Sequence, residues 1–468
     1  MRSFFGYVLR GLDGLRKVLH LLLLLLIFGF VVGALRTSIP RLPAKAALLV
    51  QPEGEIVEQA AGDPFERAVA EARGLGNDET PLRDLTDVID AARSDARIQA
   101  LVLDFDAMSG GGQPTLDEFA RAVDAFRKSG KKVIARGTGF TRDTYYVAAH
   151  ADEIYVEPLG FVMLEGYDRY RMYFKGAFDK FGVDMNVFRV GAYKSAVEPY
   201  VRQDMSEQDR EESVAYLGSL WNTYLESVAK ARGLKADDLR TRVASLADDV
   251  EAAAGDTSKV ALQSKLVTGI KSSIEVEARV AELVGEDEEK GTYNAVQFAD
   301  YLRVVRAEQK LRKEADARIG VLVASGEIVD GVQPSGTIGG SSTAELIRDA
   351  RLDEDIRALV LRIDSPGGSV LASEQIYQEL LAFRATGRPV VVSMGDLAAS
   401  GGYYISAPAD EIWANPATIT GSIGIFAAFP TVNRALDKVG ISVDGVGTTP
   451  LSGEFRVDRP VGPAAAKL

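Results

Sequence analysis

Three short stretches hold residue types that could do covalent chemistry. In GDLAASGGYY, Ser400 sits among small residues just after the apolar run VVVSM. A serine there either caps a helix or stands as a nucleophile where a strand turns into a helix. In DSPGGS (Asp364 to Ser369) two glycines follow another apolar run. Backbone N–H groups so placed can face an anion, as an oxyanion hole requires, and one such donor contributes about 3–4 kcal/mol to acyl transfer. Turns use the same residues. If Ser400 opens a helix, the helix N-terminus favours negative charge, and the Gly401 N–H could join that of Gly368.

A serine nucleophile needs a base. The chain has no cysteine and two histidines, His20 and His150. Disulfides, thiolate nucleophiles and histidine-rich metal sites are thereby excluded. His20 lies in an apolar stretch, and His150 belongs to a segment remote in sequence from Ser400. Lysine is the remaining candidate, since Ser-Lys pairs perform the same role as Ser-His. GAYKSAVEPY places Lys194 after the strand-like NVFRV, between small residues and a tyrosine. Burial would lower its pKa and free the amine; the plainer reading of such a lysine is a surface cation.

The elements that must position these groups come in two copies. ALVLDFD (Ala100 to Asp106) recurs as ALVLRID (Ala358 to Asp364), and DTYYVAAHADEIYVEP (Asp143 to Pro158) recurs as GGYYISAPADEIWANP (Gly401 to Pro416), both 258 residues on. Upstream, GEIVEQ recurs as GEIVDG, with an insertion of about 14 residues in the first copy that reads as a polar loop. Each copy alternates short apolar strands with helical spacing, which predicts an α/β fold around a mainly parallel sheet. ALVLRI reads as a strand buried on both faces. Between the copies, MSEQDREESVAYLGSLWNTYLESVAKARGL has a strong helical period, and its charges read as a solvated face. At the common offset Ser400 is matched by Arg142, so only the second copy carries the serine. The predicted organisation is an N-terminal stub and anchor (1–45), a first repeat (46–204), a helical connection (205–317) and a second repeat (318–468).

Net charge is −13, with 46% hydrophobic and 26% charged residues, which argues for a folded chain and against nucleic acid as a main partner. From Val18 to Leu35 the chain carries no formal charge, about the length that spans a bilayer. Arg2, Arg10, Arg16 and Lys17 precede it, which predicts a cytoplasmic N-terminus and an exported bulk. The alternative is a signal peptide cleaved near Ala44-Lys45-Ala46.

DSPGGS, MGDLAASGGYYISAPADEI, ATITGSIGIF and GAYKSAVEPY, in this order of function if not of sequence, resemble the signal peptide peptidase A (protease IV) family in its long tandem-repeat form. The resemblance covers nearly the whole chain. It implies two tandem Clp-protease/crotonase-like βα repeats behind one transmembrane helix. It implies a membrane-bound serine endopeptidase of the bacterial inner membrane, with its catalytic part outside the cytoplasm, that degrades remnant signal peptides and other apolar peptides without metal or organic cofactor. On this resemblance Ser400 is the nucleophile, Lys194 the general base from the first repeat, Ser422 of TGSIG a partner of the lysine amine, and Gly368 and Gly401 the oxyanion donors. A homotetramer is implied, with lipid contacted through the N-terminal helix. The family pattern continues in a helical tail after FRVDRP, whereas this sequence stops at Leu468. Two other readings of the same residues are an inactive membrane scaffold of this fold and a crotonase-like acyl-CoA enzyme.

Overall fold

The computed structural model describes residues 16–26, 40–63, 65, 67, 69, 73, 79–311 and 317–468. The first half is built on β1 (Ala46–Val50), β2 (Ile98–Asp104), β3 (Lys132–Phe140) and β4 (Glu153–Val162), which lie side by side and parallel. Their crossovers run through α1 (Leu82–Ser94), α2 (Gln113–Arg127) and α3 (Arg142–Ala148). Helical spacing explains the packing: α1 buries Leu82, Leu85, Val88, Ile89 and Ala92, and α2 buries Leu116, Phe119, Ala120, Val123 and Phe126 on the same core. A strand, β5 (Asp184–Val190), leaves this sheet behind, and a long helix, α4 (Glu207–Arg232), follows it. That helix is capped by Ser206 at its start and stopped by Gly233 in the left-handed region.

The connecting segment finishes the first sheet. Helix α5 (Ser273–Val284) lays Val276, Val280 and Val284 over Ala47, Ala100, Val102, Ile134 and Tyr155. Strand β6 (Ala295–Gln297) then pairs with the free edge of β1.

The second half repeats the plan with β7 (Arg318–Ser325), β8 (Ile356–Ser365), β9 (Val390–Ala399) and β10 (Glu411–Trp413), all parallel. Helix α6 (Val370–Arg384) is the crossover between β8 and β9. The end of β9 changes partner, pairing with β11 (Ile419–Gly421) where β10 leaves off. The ALVLRI strand departs from expectation here. Its first-copy equivalent, β2, is buried on both faces, but β8 has one buried face and one half-exposed face. The physical reason lies in the cover: among the described residues no counterpart of α5 packs over β7 and β8, and Ile319 and Val321 stay 65% and 54% exposed.

Half of the N-terminal span expected at 18–35, residues 27–35, lies outside the described residues. Residues 16–26 are helical with exposed leucines, and among the described residues no helix is long and apolar enough to cross a membrane.

Among the contacts that join the halves, three sets bear on the site. The first is β12 (Ile425–Thr431), which pairs antiparallel with β5 from Ile425↔Val190 to Thr431↔Asp184. The second is an ion cluster: Arg362 of β8 donates to Glu58 at 2.5 Å and to Glu118 at 2.6 Å. The third is Asp396 of β9, whose carboxylate accepts from Thr115 of α2.

Two of these contacts predict stability. The Arg362 and Glu58 side chains are only 13% and 9% exposed, so removing one partner strands a buried charge. Arg362→Ala is expected to cost about 3–5 kcal/mol in urea unfolding, and a loss below about 1 kcal/mol would show the pair to be solvated. Asp396 is pushed up to about 6, first by burial and then by the neighbouring Asp364 carboxylate. In the unfolded chain an aspartate titrates near about 3.9. The folded state therefore holds this proton more tightly, so the group's contribution to stability is full below about pH 4 and falls as pH rises to about 6. Asp396→Asn should match wild type at pH 4 and exceed it at pH 8 by about 1–3 kcal/mol. Equal unfolding midpoints at pH 8 would contradict this.

Candidate active site

Ser400 closes β9 and opens a short helix, α7 (Gly401–Ser406), with φ 53° and ψ −115°. A non-glycine residue in that region is strained by about 1–3 kcal/mol and is held only by its surroundings. The Ser400 N–H donates to the Gly421 carbonyl at 2.8 Å, and its own carbonyl accepts from Tyr404 N. The helix-cap reading of this serine fails on its side chain, which makes no capping bond. Its Oγ faces Lys194 instead.

Lys194 follows β5 in a tight turn begun by Gly191, whose φ of 112° suits glycine. The residue is 7% exposed. Its Nζ lies 2.9 Å from Ser400 Oγ, 2.7 Å from the Ser422 carbonyl oxygen and 3.3 Å from Ser422 Oγ. As an ammonium it has three donors for these three oxygens. As a free amine it keeps two donors, enough for Ser422, and turns a lone pair to the Ser400 hydroxyl. Burial lowers the Lys194 pKa from its ordinary value, against an opposing pull from the Glu212 carboxylate. The surface-cation reading of this lysine is therefore replaced by a buried amine on a serine hydroxyl. Ser422 shares the strain, with φ 47°.

The DSPGGS loop closes the third side. Gly368 has φ 153°, and a Cβ there would stand 2.0 Å from the Ile328 carbonyl oxygen. At Gly367 a Cβ would stand 2.5 Å from the Gly401 nitrogen and 2.8 Å from Ser400 Cβ. Only glycines allow this backbone to lie against Ser400. A Cβ on Gly401 would in turn meet the Gly368 nitrogen at 3.2 Å, so the two amides are neighbours beside Ser400. Buried Ser365 fixes the loop from below, its Oγ accepting from Gly367 N at 3.1 Å.

The first copy keeps the loop and fills the site. Gly110 has φ 151°, nearly that of Gly368, yet a Cβ on it would meet Asp143 Oδ2 at 2.7 Å. Arg142, at the position of Ser400, donates to Asp143 and to the Gly166 carbonyl and lies 4.1 Å from the centre of the Tyr167 ring. His150 takes no part in the site and bonds Asp124 through Nδ1 at 3.0 Å; His20 Nδ1 contacts the Arg16 carbonyl in the N-terminal helix.

Sequence reasoning missed the support beneath Lys194. Asp209, fully buried in the first turn of α4, binds Arg169 and Arg171. Those arginines reach the Oγ and carbonyl of Ser195, the residue after the lysine. The only available signal was an aspartate three residues past a helix cap, and it was hidden in a charge run that reads as solvated. Two clefts meet at Ser400. One, of about 530 Å³, is apolar, with Val190, Val370, Ile423, Ile425 and Phe426 in its wall. The other, of about 690 Å³, is polar, with Arg169, Arg171, Glu212 and Glu327.

The chain matches the family model of peptidase family S49 over residues 125–286 and 382–466. It is 41% identical to "Protease 4" of Salmonella typhi over 87% of this chain and 66% of that protein. With "Protease 4" of Haemophilus influenzae it shares 36% identity over 92% of this chain and 70% of the relative. With the chloroplastic serine protease SPPA of Arabidopsis thaliana it shares 29% over 81% and 55%. The chain thus spans between 55% and 70% of the length of these relatives. Among solved structures, a mutant of the membrane-bound stomatin-specific protease 1510-N in complex with a substrate peptide superposes with a TM-score of 0.27 at 13% identity, covering 54% of this chain and 91% of that one. An enoyl-CoA hydratase/isomerase of Acinetobacter baumannii superposes at 0.23 and 12% identity, covering 49% and 78%. On the family model and the two bacterial relatives together, the chain belongs to peptidase family S49.

Proposed function

We propose that the chain is a serine endopeptidase with a Ser-Lys dyad shared between its two repeats. The observation that carries this reading is the 2.9 Å approach of Lys194 Nζ to Ser400 Oγ in a buried setting. Neutral Lys194 takes the Ser400 proton as the oxygen attacks a peptide carbonyl. The N–H groups of Gly368 and Gly401 receive the charge that develops on the carbonyl oxygen. The lysine ammonium then protonates the leaving amine, and water, activated by the same amine, releases the acyl group. Ser422 holds the amine throughout with its carbonyl and hydroxyl oxygens. No step calls for a metal or an organic cofactor.

The apolar cleft beside Ser400 supports apolar or small side chains in the substrate, and remnant signal peptides left after export have that character. The uncharged Val18–Leu35 stretch supports an N-terminal membrane anchor and a single-pass place in the bacterial inner membrane, with the catalytic part on the extracytoplasmic side. Assembly as a homotetramer belongs to the same reading.

Hydrolysis of a small apolar peptide ester tests it. Ser400→Ala and Lys194→Ala should each lose about 10⁴-fold or more in kcat, and a fluorophosphonate probe should label Ser400 in the wild type. Because the base works unprotonated and burial lowers its pKa, the wild-type rate should climb with pH to a plateau, with a midpoint below the ordinary lysine value of 10.5. A Lys194→Ala protein that kept both rate and midpoint would remove the lysine from the mechanism. Gly368→Ala drives a methyl group into the Ile328 carbonyl and displaces a proposed oxyanion donor. Its kcat should fall about 10²–10³-fold with Ser400 still present for labelling; an unchanged kcat would take Gly368 out of the hole.

A further inference from the structure

The two halves of the dyad come from different repeats, and one carboxylate stands where those repeats meet on the nucleophile's own strand. Helix α2 of the first repeat begins at Gly112, which has no side chain to cap it. Its counterpart α6 is capped from within, Ser369 Oγ accepting from Ala372 N at 3.3 Å. For α2 the cap arrives from the other repeat. Asp396 Oδ1 accepts from Thr115 N at 2.8 Å, and Oδ2 accepts from Thr115 Oγ1 at 2.8 Å. Gly112 makes the space: a Cβ there would lie 2.0 Å from Asp396 Cγ.

Asp396 is four residues before Ser400 on β9, and both of its neighbours are fixed. Gly395 accepts from Thr418 Oγ1 at 2.8 Å, and Leu397 N donates to Asp364 Oδ1 at 2.9 Å. A shift of α2 against β9 would therefore reach Ser400 along a strand held on both sides of Asp396. The charged groups around Asp396 are Asp364 on β8, Arg362 beside it, and Glu58 and Glu118 from the first repeat, both held by Arg362; the Tyr167 hydroxyl lies on the first-repeat side.

We propose that Asp396 is a positioning residue that caps a first-repeat helix from the second repeat and so fixes Ser400 against Lys194. The proposal rests on the dyad reading. It accounts for an acidic residue in a strand otherwise made of apolar and small side chains near the site.

The test uses the full chain with three variants: Asp396→Ala, Asp396→Asn and Thr115→Val. Two quantities are measured, the kcat and KM for a peptide ester and the pH of half-maximal fluorophosphonate labelling of Ser400. Asp396→Ala should lower kcat at least tenfold with KM within twofold. It should also move the labelling midpoint up towards that of an ordinary lysine, because a loosened joint admits water to Lys194. Asp396→Asn should keep both readouts within twofold, since its amide oxygen accepts from Thr115 N and its amide nitrogen donates to Thr115 Oγ1. Thr115→Val, which loses one bond of the two, should fall between. Wild-type kcat and midpoint in Asp396→Ala would overturn the proposal. So would an Asn variant as impaired as the Ala variant, which would make charge and not contact the acting property. If Asp396→Ala does not fold, an unimpaired Thr115→Val overturns it alone. A Ser400→Ala protein that still turned over would overturn the dyad itself, an outcome no Asp396 variant can imitate.

Discussion

A lysine side chain buried against a serine hydroxyl sets the terms for everything else in this chain. A free amine near neutral pH requires burial, and burial of a group that is charged in water costs free energy unless its remaining donors are met. The Ser422 carbonyl and hydroxyl oxygens meet them. Both Ser400 and Ser422 adopt left-handed backbone conformations to reach the amine, and strain of that kind persists only when the surroundings over-determine it. The surroundings here are β9 and β11 paired at their ends, the glycine loop pressed on Ser400, and the arginine–aspartate platform under Ser195. The fold is best understood as the set of contacts that keeps this one pair together.

Duplication made that arrangement possible and then became unequal. Both copies retain the strand, the glycine loop and the short helix, and Gly110 and Gly368 share one unusual φ. The copies diverge in what fills the loop. In the first, Asp143 and Arg142 occupy the space with their own ion pair and an aromatic lid from Tyr167. In the second, glycine and serine leave it open to a cleft. The Arg142–Asp143 pair fills the place that lies open beside Ser400, and the first copy contributes Lys194 across the boundary instead.

Much of this was legible in the sequence. The repeat offset placed the strands, and GDLAASGGYY and DSPGGS placed Ser400 and the loop against it, because glycine and small residues are dictated by steric limits that act locally. Lys194 was found by elimination, since a chain with two remote histidines leaves few bases. Ser422 came only through family resemblance, because a turn serine carries no local mark of what its carbonyl accepts. Three features were not legible. Asp209 looked like one more charge on a solvated helix, and its burial depends on two arginines some 40 residues away. Asp396 and Arg362 sat in strands whose neighbours suggested core, and their partners lie in the other repeat. The half-exposed face of β8 was misread because an apolar strand says that a cover is favourable, not that a helix is there to provide it.

The strand pair that joins the halves also dictates when the site comes into being. Asp184–Val190 and Ile425–Thr431 are separated by more than two hundred residues, so their pairing closes a very long loop and belongs to the slow, non-local part of folding. Lys194 sits just past one strand and Ser422 just before the other. A chain that reaches only Gly421 holds Ser400 but lacks both Ser422, which bonds Lys194, and the strand that pairs with Asp184–Val190. The approach of Lys194 Nζ to Ser400 Oγ consequently belongs to the non-local part of folding, and neither repeat can make it alone.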